Sequence, residues 1–403
     1  MSPAYEYAVA QFLRHRGGGL ELARAARRQD PDSATAHLLE AFLLLCSRDR
    51  RDFEGVPSVL ARVQDLAMGE RERAHFAAAA AAAGGDYARA CRILEEAIER
   101  SPRDLLALAV AHVFDYFLGN PAALRERSAR VLKAIPSDLP GYHAALSMHA
   151  FALQECGEYE AAEDVARRAA HLEPQDLRAW HAVVHVLEMQ GRAEEGLRWL
   201  EAGKAMWSGC GAASTHLWWH RALFHVQLGQ PERALALYDA RISARGLSEL
   251  IDGSAILWRL HLQGVEVSFA SLARHWAPYA EDAHCAFNDM HAMMAFAGAG
   301  RWDLAARLLA AQERRLAGGH GANYDMTRLV GYPACRAIAA YGRGDFAAAG
   351  TLLRALPPVA HRIGGSHAQR DILQLTRAAA HRAQEEKGPD PFFAGYCAPG
   401  AAA

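Results

Sequence analysis

The chain has no surplus of charge of either sign. Its 44 Lys and Arg face 46 Asp and Glu. It therefore lacks the basic stripe that a phosphate backbone selects and the polybasic clamp of a membrane-surface protein. Long apolar runs are missing too. No unbroken apolar stretch is long enough for a membrane span, and the alanine tract at 77–83 is far too short. The start, MSPAYEYAVAQF, has neither the basic end nor the apolar run of a signal peptide. The seven cysteines are scattered and form no Cys-x-x-Cys, which excludes a disulfide framework and a zinc ribbon and fits a reducing compartment. These absences predict a soluble, cytoplasmic protein with no nucleic-acid and no membrane partner.

Chemical signatures are equally sparse. There is no G-x-x-x-x-G-K-[ST] phosphate loop, no G-x-S-x-G elbow and no G-x-G-x-x-G. The three glycines of RHRGGGLELA follow no strand and read as a flexible loop between helices. No segment alternates apolar and polar residues long enough for a sheet. The prediction is all-α.

What is present is a repeat. Gly85, Gly157, Gly229, Gly300 and Gly344 each lead, five residues on, to an alanine. Weaker copies begin at Gly119, Gly191 and Gly264. From Gly85 to Gly300 these glycines recur at intervals of roughly 35 residues. Pro102, Pro136 and Pro174 close second helices, because proline cannot continue one. That is the tetratricopeptide (TPR) pattern of two antiparallel helices per repeat. Single repeats cannot bury their apolar faces, so they stack. The expected fold is a right-handed helical solenoid with a concave groove or pocket. Residues 71–385 carry about eight helix pairs, residues 1–70 an irregular helical start, and residues 386–403 a flexible tail. In that tail Phe392, Phe393 and Tyr396 are the residues able to dock.

The chain holds 20 histidines, several of them clustered. In this fold the first helix of each repeat lines the groove at positions 2, 5, 9, 12 and 13. With Gly191 at position 15, His181, His185 and Glu188 take positions 5, 9 and 12, one stripe of one helix. In the next repeat His216 and Trp219 take positions 2 and 5, and His220 lies one turn above His216. Glu155 takes position 13 of the preceding repeat. Neighbouring helices pack about 8–10 Å apart, so these side chains can share one pocket. His225 lies opposite His216 and reads as a core histidine.

Two histidines four apart on a helix can both ligate zinc. HAVVH is not H-E-x-x-H, however, since Ala182 stands where a metalloprotease carries its general-base Glu. A site assembled across helices from His181, His185, Glu188 and His216 is the metal-binding form, with a divalent metal as cofactor. The metal-free form uses histidine as general base and a carboxylate to orient it. Either would make His181, His185, Glu188, His216 and His220 the catalytic set. A third form is plain binding of an anionic or aromatic ligand by the imidazoles and Trp219.

The runs LQECGEYEAAEDVARRA, HAVVHVLEM, THLWWHRALF, FNDMHAMMA, VGYPAC and IGGSHAQRD resemble the tetratricopeptide repeat protein 38 family over residues 105–381. Little of the N-terminal part takes part. The resemblance implies the same fold and a site among His112, Glu155, His181, His185, Glu188, His216, Trp219, His220 and Asp252. It extends to Asn288, Asp289, His291, Arg328, Gln369, Arg370 and Asp371. It implies no reaction. In FNDMHAMMAF, Asp289 and His291 are two apart, so one of them faces the groove. In IGGSHAQRD, Ser366 and Gln369 form an S-x-x-Q capping box. The free N–H groups of such a helix start attract an anion, and Arg370 adds a guanidinium fork.

Three functions fit. The chain binds a small molecule or short peptide in a His/Glu/Trp-lined pocket; or it is an enzyme using the same cluster; or it is a protein–protein adaptor with incidental histidines. Polar groups confined to about three repeats favour a compact pocket. A homo-oligomer is compatible with this sequence.

Overall fold

Short polar side chains set the helix starts. Ser33, Asp86, Asp104, Asn120, Asp176 and Asp345 each accept a hydrogen bond from a backbone N–H of the following turn, as N-caps do. Glycine sets the turns within the repeats. All eight repeat glycines, from Gly85 to Gly344, have positive φ, which a side chain would strain.

The computed structural model describes residues 2–209, 211–243 and 246–387. Among them there is no strand. Antiparallel helices pair along the chain: α1 (Pro3–Leu13) with α2 (Gly19–Gln29), α3 (Ala34–Leu45) with α4 (Arg50–Gln64), α5 (Glu70–Ala83) with α6 (Tyr87–Arg100). The next pairs are α7 (Leu105–Leu118) with α8 (Pro121–Ala134), α9 (Tyr142–Glu155) with α10 (Tyr159–Leu172), and α11 (Leu177–Met189) with α12 (Ala193–Ala202). After the short α13 (Lys204–Trp207), α14 (Ala212–Gln227) pairs with α15 (Pro231–Leu237), and α16 (Leu247–Leu262) with α17 (Ala270–Trp276). Then come α18 (Ala286–Gly298) with α19 (Trp302–Ala317), and α20 (Ala322–Met326) running through a π turn into α21 (Tyr332–Gly342), which packs on α22 (Phe346–Arg354). The short α23 (His367–Arg370) and α24 (Ile372–Lys387) end the described chain. This is an all-α, TPR-type solenoid. The first two residues of the expected tail, 386–403, belong to α24, and the rest, with Phe392, Phe393 and Tyr396, lies outside the described residues.

Inner and outer helices differ as their positions demand. α7, α11, α16 and α18 bury nearly every residue, because each is enclosed by its partner, its neighbours and the contents of the concave side. The outer α6 buries only the stripe Ala90, Cys91, Leu94, Ala97 and Ile98, the pattern of a one-sided helix.

Residues 3–64 form two regular hairpins rather than irregular helices. Their apolar core runs without a break at residue 70, from Tyr5 to Met148. The repeat marker is absent there because other residues make the turns: His15 and Gly18 after α1, and Arg48 after α3, all at positive φ.

The solenoid closes on itself. The Arg14 guanidinium pairs with Glu173 at 2.7 Å, and the Arg14 carbonyl accepts from Leu177 N. The Arg48 carbonyl accepts from Asn288 Nδ2, and the Gly85 carbonyl from Ala322 N. The last segment, Ile363–Asp371, crosses to α7, α9 and α11. Tyr116 Oη donates to Gln369 Oε1 at 2.7 Å. Glu155 accepts from His367 N at 3.1 Å and from Arg370 Nη2 at 3.0 Å. Ser366 and Gln369 do form the capping box. The anion at that helix start is the chain's own Glu155.

Close backbone approach makes the closure testable. A Cβ at Gly119 would sit 1.7 Å from the His361 carbonyl oxygen, whereas one at Gly157 meets nothing within 4 Å. Both glycines have positive φ, so both alanine variants bear the same local strain. Gly119→Ala is expected to lose roughly 1–3 kcal/mol more than Gly157→Ala in urea denaturation. Equal losses would mean that the closing segment does not press on α7.

Candidate metal centre

Two inner helices carry the site. Asp176 caps α11 by accepting from Arg178 N and Ala179 N, and its other oxygen meets His143 at 2.8 Å. From that start, His181 and His185 fall one turn apart on one face, with Glu188 beyond them. On the adjacent α14, His216 and His220 repeat the spacing. One ring nitrogen from each of the four histidines lies within 4.8 Å of all the others. His185 and His220 are fully buried; His181 and His216 are partly open.

Carboxylates stand behind the ring. His220 Nδ1 is 2.6 Å from Glu188 Oε2. His216 Nδ1 is 2.9 Å from Asp252 Oδ1, on α16. An imidazole that donates Nδ1–H to a carboxylate turns its Nε2 lone pair to the opposite side, and metal ligands are oriented in this way. Glu188, expected as a ligand, is thus a backing group, and His220 takes the fourth place in the ring. The reason is reach: Glu188 lies three residues beyond His185, and its carboxyl is spent on the far nitrogen of His220.

The inner nitrogens are underprovided with protons. His181 Nε2 is 2.8 Å from His185 Nε2 and 3.1 Å from His220 Nε2. A ring nitrogen has one in-plane position, for a proton or a lone pair. His181 can therefore satisfy one of these neighbours and not both. His185 Nδ1 is buried without a partner. Burial holds His181, His185 and His220 well below the ordinary histidine pKa, with the neighbouring imidazoles adding to the effect. Burial also pushes Glu188 up to about 7. Neutral imidazoles with converging lone pairs are what a soft-to-borderline cation binds.

Aromatic rings fix the cluster. Phe151 stacks on His181 at 6.0 Å and 18° and meets His185 edge-on. Trp219 stacks on His216 at 5.0 Å and 12°. Arg259 sits 5.4 Å from the Trp219 ring.

Beside the cluster lies a cavity of about 450 Å³. His181, His216 and Asp252 form one side of it, and His112 and Phe151 another. Gln369 from the closing segment contributes, as do His15 and Gly17–Gly19 from the loop after α1 and Cys46–Arg48 from the turn after α3. The glycine loop is thus a wall of the cavity as well as a connection between helices.

Other sequence-derived residues fall into three places. Glu155, Gln369, Arg370 and Asp371 belong to the closure, with Asp371 paired to Arg259. Asn288, Asp289 and His291 are all buried in α18. Asp289 accepts from Gln312 Nε2 at 3.1 Å, and His291 Nδ1 meets the Phe287 carbonyl at 2.8 Å. Neither joins the histidine ring, and both are enclosed instead of one facing a groove, because α18 is covered on every side. Arg328 lies exposed in the π turn with Asp325, away from the cluster. His225 is buried with Nδ1 on Gln230. Arg178, His15, Arg48, Cys46 and Tyr116 border the cavity without having stood out in the sequence. Only Arg178 had a local signal, three residues before His181 on the same helix face.

No family model matches the chain. Among solved structures it is similar to yeast Tom70, at 10% identity and a TM-score of 0.45, over 97% of this chain and 89% of that one. It is also similar to a chain in a structure of Naa15/Naa10 bound to HypK-THB, at 15% identity and a TM-score of 0.28, over 96% of this chain and 67% of that one.

Asp289, outside the ring, gives a pH test. Burial raises its carboxyl from 3.8 to about 7. Between these values the folded chain holds a proton that the unfolded chain has lost. Stability therefore falls as pH rises through this window, by about 1.4 kcal/mol per unit. Asp289→Asn cannot ionise. It is expected to gain about 2 kcal/mol on the parent chain between pH 5 and pH 7, read by urea denaturation at both pH values. Parallel pH dependences would refute the assignment.

Proposed function

We propose that the chain holds a divalent transition metal on His181, His185, His216 and His220 and presents it to a small molecule in the adjoining cavity. One observation carries this reading: four ring nitrogens lie within 4.8 Å of one another, two of the rings backed by buried carboxylates. A tetrahedral zinc with Zn–N of about 2.05 Å sets N···N at about 3.4 Å, inside the observed spread. Imidazole ligands suit zinc, copper, nickel or iron over magnesium or calcium. His181 and His216 face the cavity, so a ligand approaches the metal from that side. There a metal on four imidazoles, expanding to a fifth donor, would polarise a ligand oxygen or bound water. The enzyme reading is thereby joined to the small-molecule reading.

The peptide-clamp and adaptor readings are less well supported. A clamp needs a groove open along its length, and here the segment Ile363–Asp371 and the turn after α3 occupy the concave side. No helix among the described residues is long and apolar enough to cross a membrane. We also infer kinship with the tetratricopeptide repeat protein 38 family, on the runs quoted above.

Plasma emission on the untagged full chain, loaded with zinc and dialysed, is expected to give about one equivalent of metal. The double variant His181→Ala, His185→Ala should hold none. A parent chain that retains no zinc, iron, nickel or copper would sink the reading. Asp252→Asn should weaken metal affinity by about 10- to 100-fold while leaving the stoichiometry intact at saturation, measured by competition with a chelator of known affinity.

A further inference from the structure

Arg178 is a buried cation with no hydrogen-bonded counterion. It is 8% exposed, and its Nε and Nη2 find no hydrogen-bond acceptor. The nearest acid in sequence, Asp176, is engaged by the first turn of α11 and by His143. Its other neighbours are His15, Cys46 and His112, and none of them carries charge at neutral pH, since burial lowers the imidazoles of His112 and His15, the latter to about 3, and pushes the Cys46 thiol up to about 12. Two acids reach the cavity, Asp252 and Asp52. Asp252 is committed to His216, and neither makes an ion pair with Arg178. An uncompensated buried charge is strongly unfavourable, so this one calls for a partner that the fold does not provide.

The guanidinium borders the cavity. Its Nε and Nη2 are themselves sealed in the wall, but the charge is delocalised over the whole guanidinium, so an anion in the cavity is attracted without touching those two atoms. Arg178 is one turn before His181, so guanidinium and metal ligands face the same space. Across the cavity Arg48 adds a second positive charge. It is held at 4.3 to 5.0 Å from the rings of Phe117, Phe287 and Tyr116 and pairs with no carboxylate among the described residues. His15 and Arg48 are two of the three non-glycine residues with positive φ among the described residues, and strained backbone of this kind gathers at ligand sites. The remaining wall mixes apolar residues, Phe12, Leu20, Phe151 and Ile251 among them, with the charged Arg16 and Asp52.

We infer that the cavity takes a small organic carboxylate with an apolar body, its charge met by Arg178. This names the ligand class of the metal-centred cavity and rests on that reading for what the ligand meets at the histidine end.

The test uses the zinc-treated full chain with two probes of one shape, 4-phenylbutyrate and the neutral 4-phenylbutanol. By calorimetry the carboxylate is expected to bind about ten-fold tighter than the alcohol. Arg178→Met is expected to erase that preference. It should also raise the melting temperature of the ligand-free chain by about 2 °C or more, because an unpaired buried charge has gone. Equal binding of the two probes by the parent chain, or binding of neither, overturns the inference. So does a fall in the melting temperature of Arg178→Met, which would make the guanidinium structural. Zinc is scored separately. A chain that holds no metal yet prefers the carboxylate loses the metal reading and keeps the anion site. A chain that holds zinc without the preference does the reverse.

Discussion

A buried carboxylate, Glu155, joins the end of the chain to its middle. It takes the Arg370 guanidinium on one oxygen and the His367 N–H on the other, a contact between parts of the sequence that lie far apart. Removing either partner would strand a charge away from water, which is worth several kcal/mol. Around this contact the closing segment is fixed further by Tyr116 on Gln369 and by Arg259 on Asp371. What would be an open trough in a plain stack of helix pairs becomes a cavity walled in part by the closing segment, through Gln369.

Enclosure explains why the histidine ring and the closure are physically linked. Arg259 bonds the Ala368 carbonyl and Asp371 on one side and lies over Trp219 on the other. Trp219 in turn stacks on His216. The support of the ring therefore runs through packed side chains to the last helices. Buried polar groups in such a network are useful only when each is satisfied. Among the unsatisfied ones, Nδ1 of His185, Nε1 of Trp219 and Nε and Nη2 of Arg178 belong to the neighbouring helices α11 and α14.

Much of this was legible in the sequence, for local reasons. Eight glycines needing positive φ announced the helix pairs, and spacings of four announced His181 with His185 and His216 with His220. Periodicity places residues on a face but does not say which side-chain nitrogen meets which oxygen, so Glu188 read as a ligand although its carboxyl lies on Nδ1 of His220. It also does not reach between distant repeats. His15 and Arg48 come to the cavity because the curvature of the whole stack returns the first hairpins to α11 and α18, and no short pattern encodes that sum of small rotations. Their turns lack the repeat glycine, which hid the regular pairing of residues 3–64 as well. Asp289 and His291 misled for the opposite reason: polar residues on an inner helix need not face the groove when the helix is covered on all sides.

The four imidazoles and the walls of the cavity differ in how far apart they lie along the chain. The ring is made by α11 and α14, inner helices of successive pairs. The cavity requires the loop after α1, the turn after α3 and Gln369. During synthesis the ring can assemble while α24 is still to be made, whereas contacts of such long range form late. A nascent chain therefore passes through a stage at which the four imidazoles are together but unshielded, and docking of the later helices afterwards restricts what can reach them.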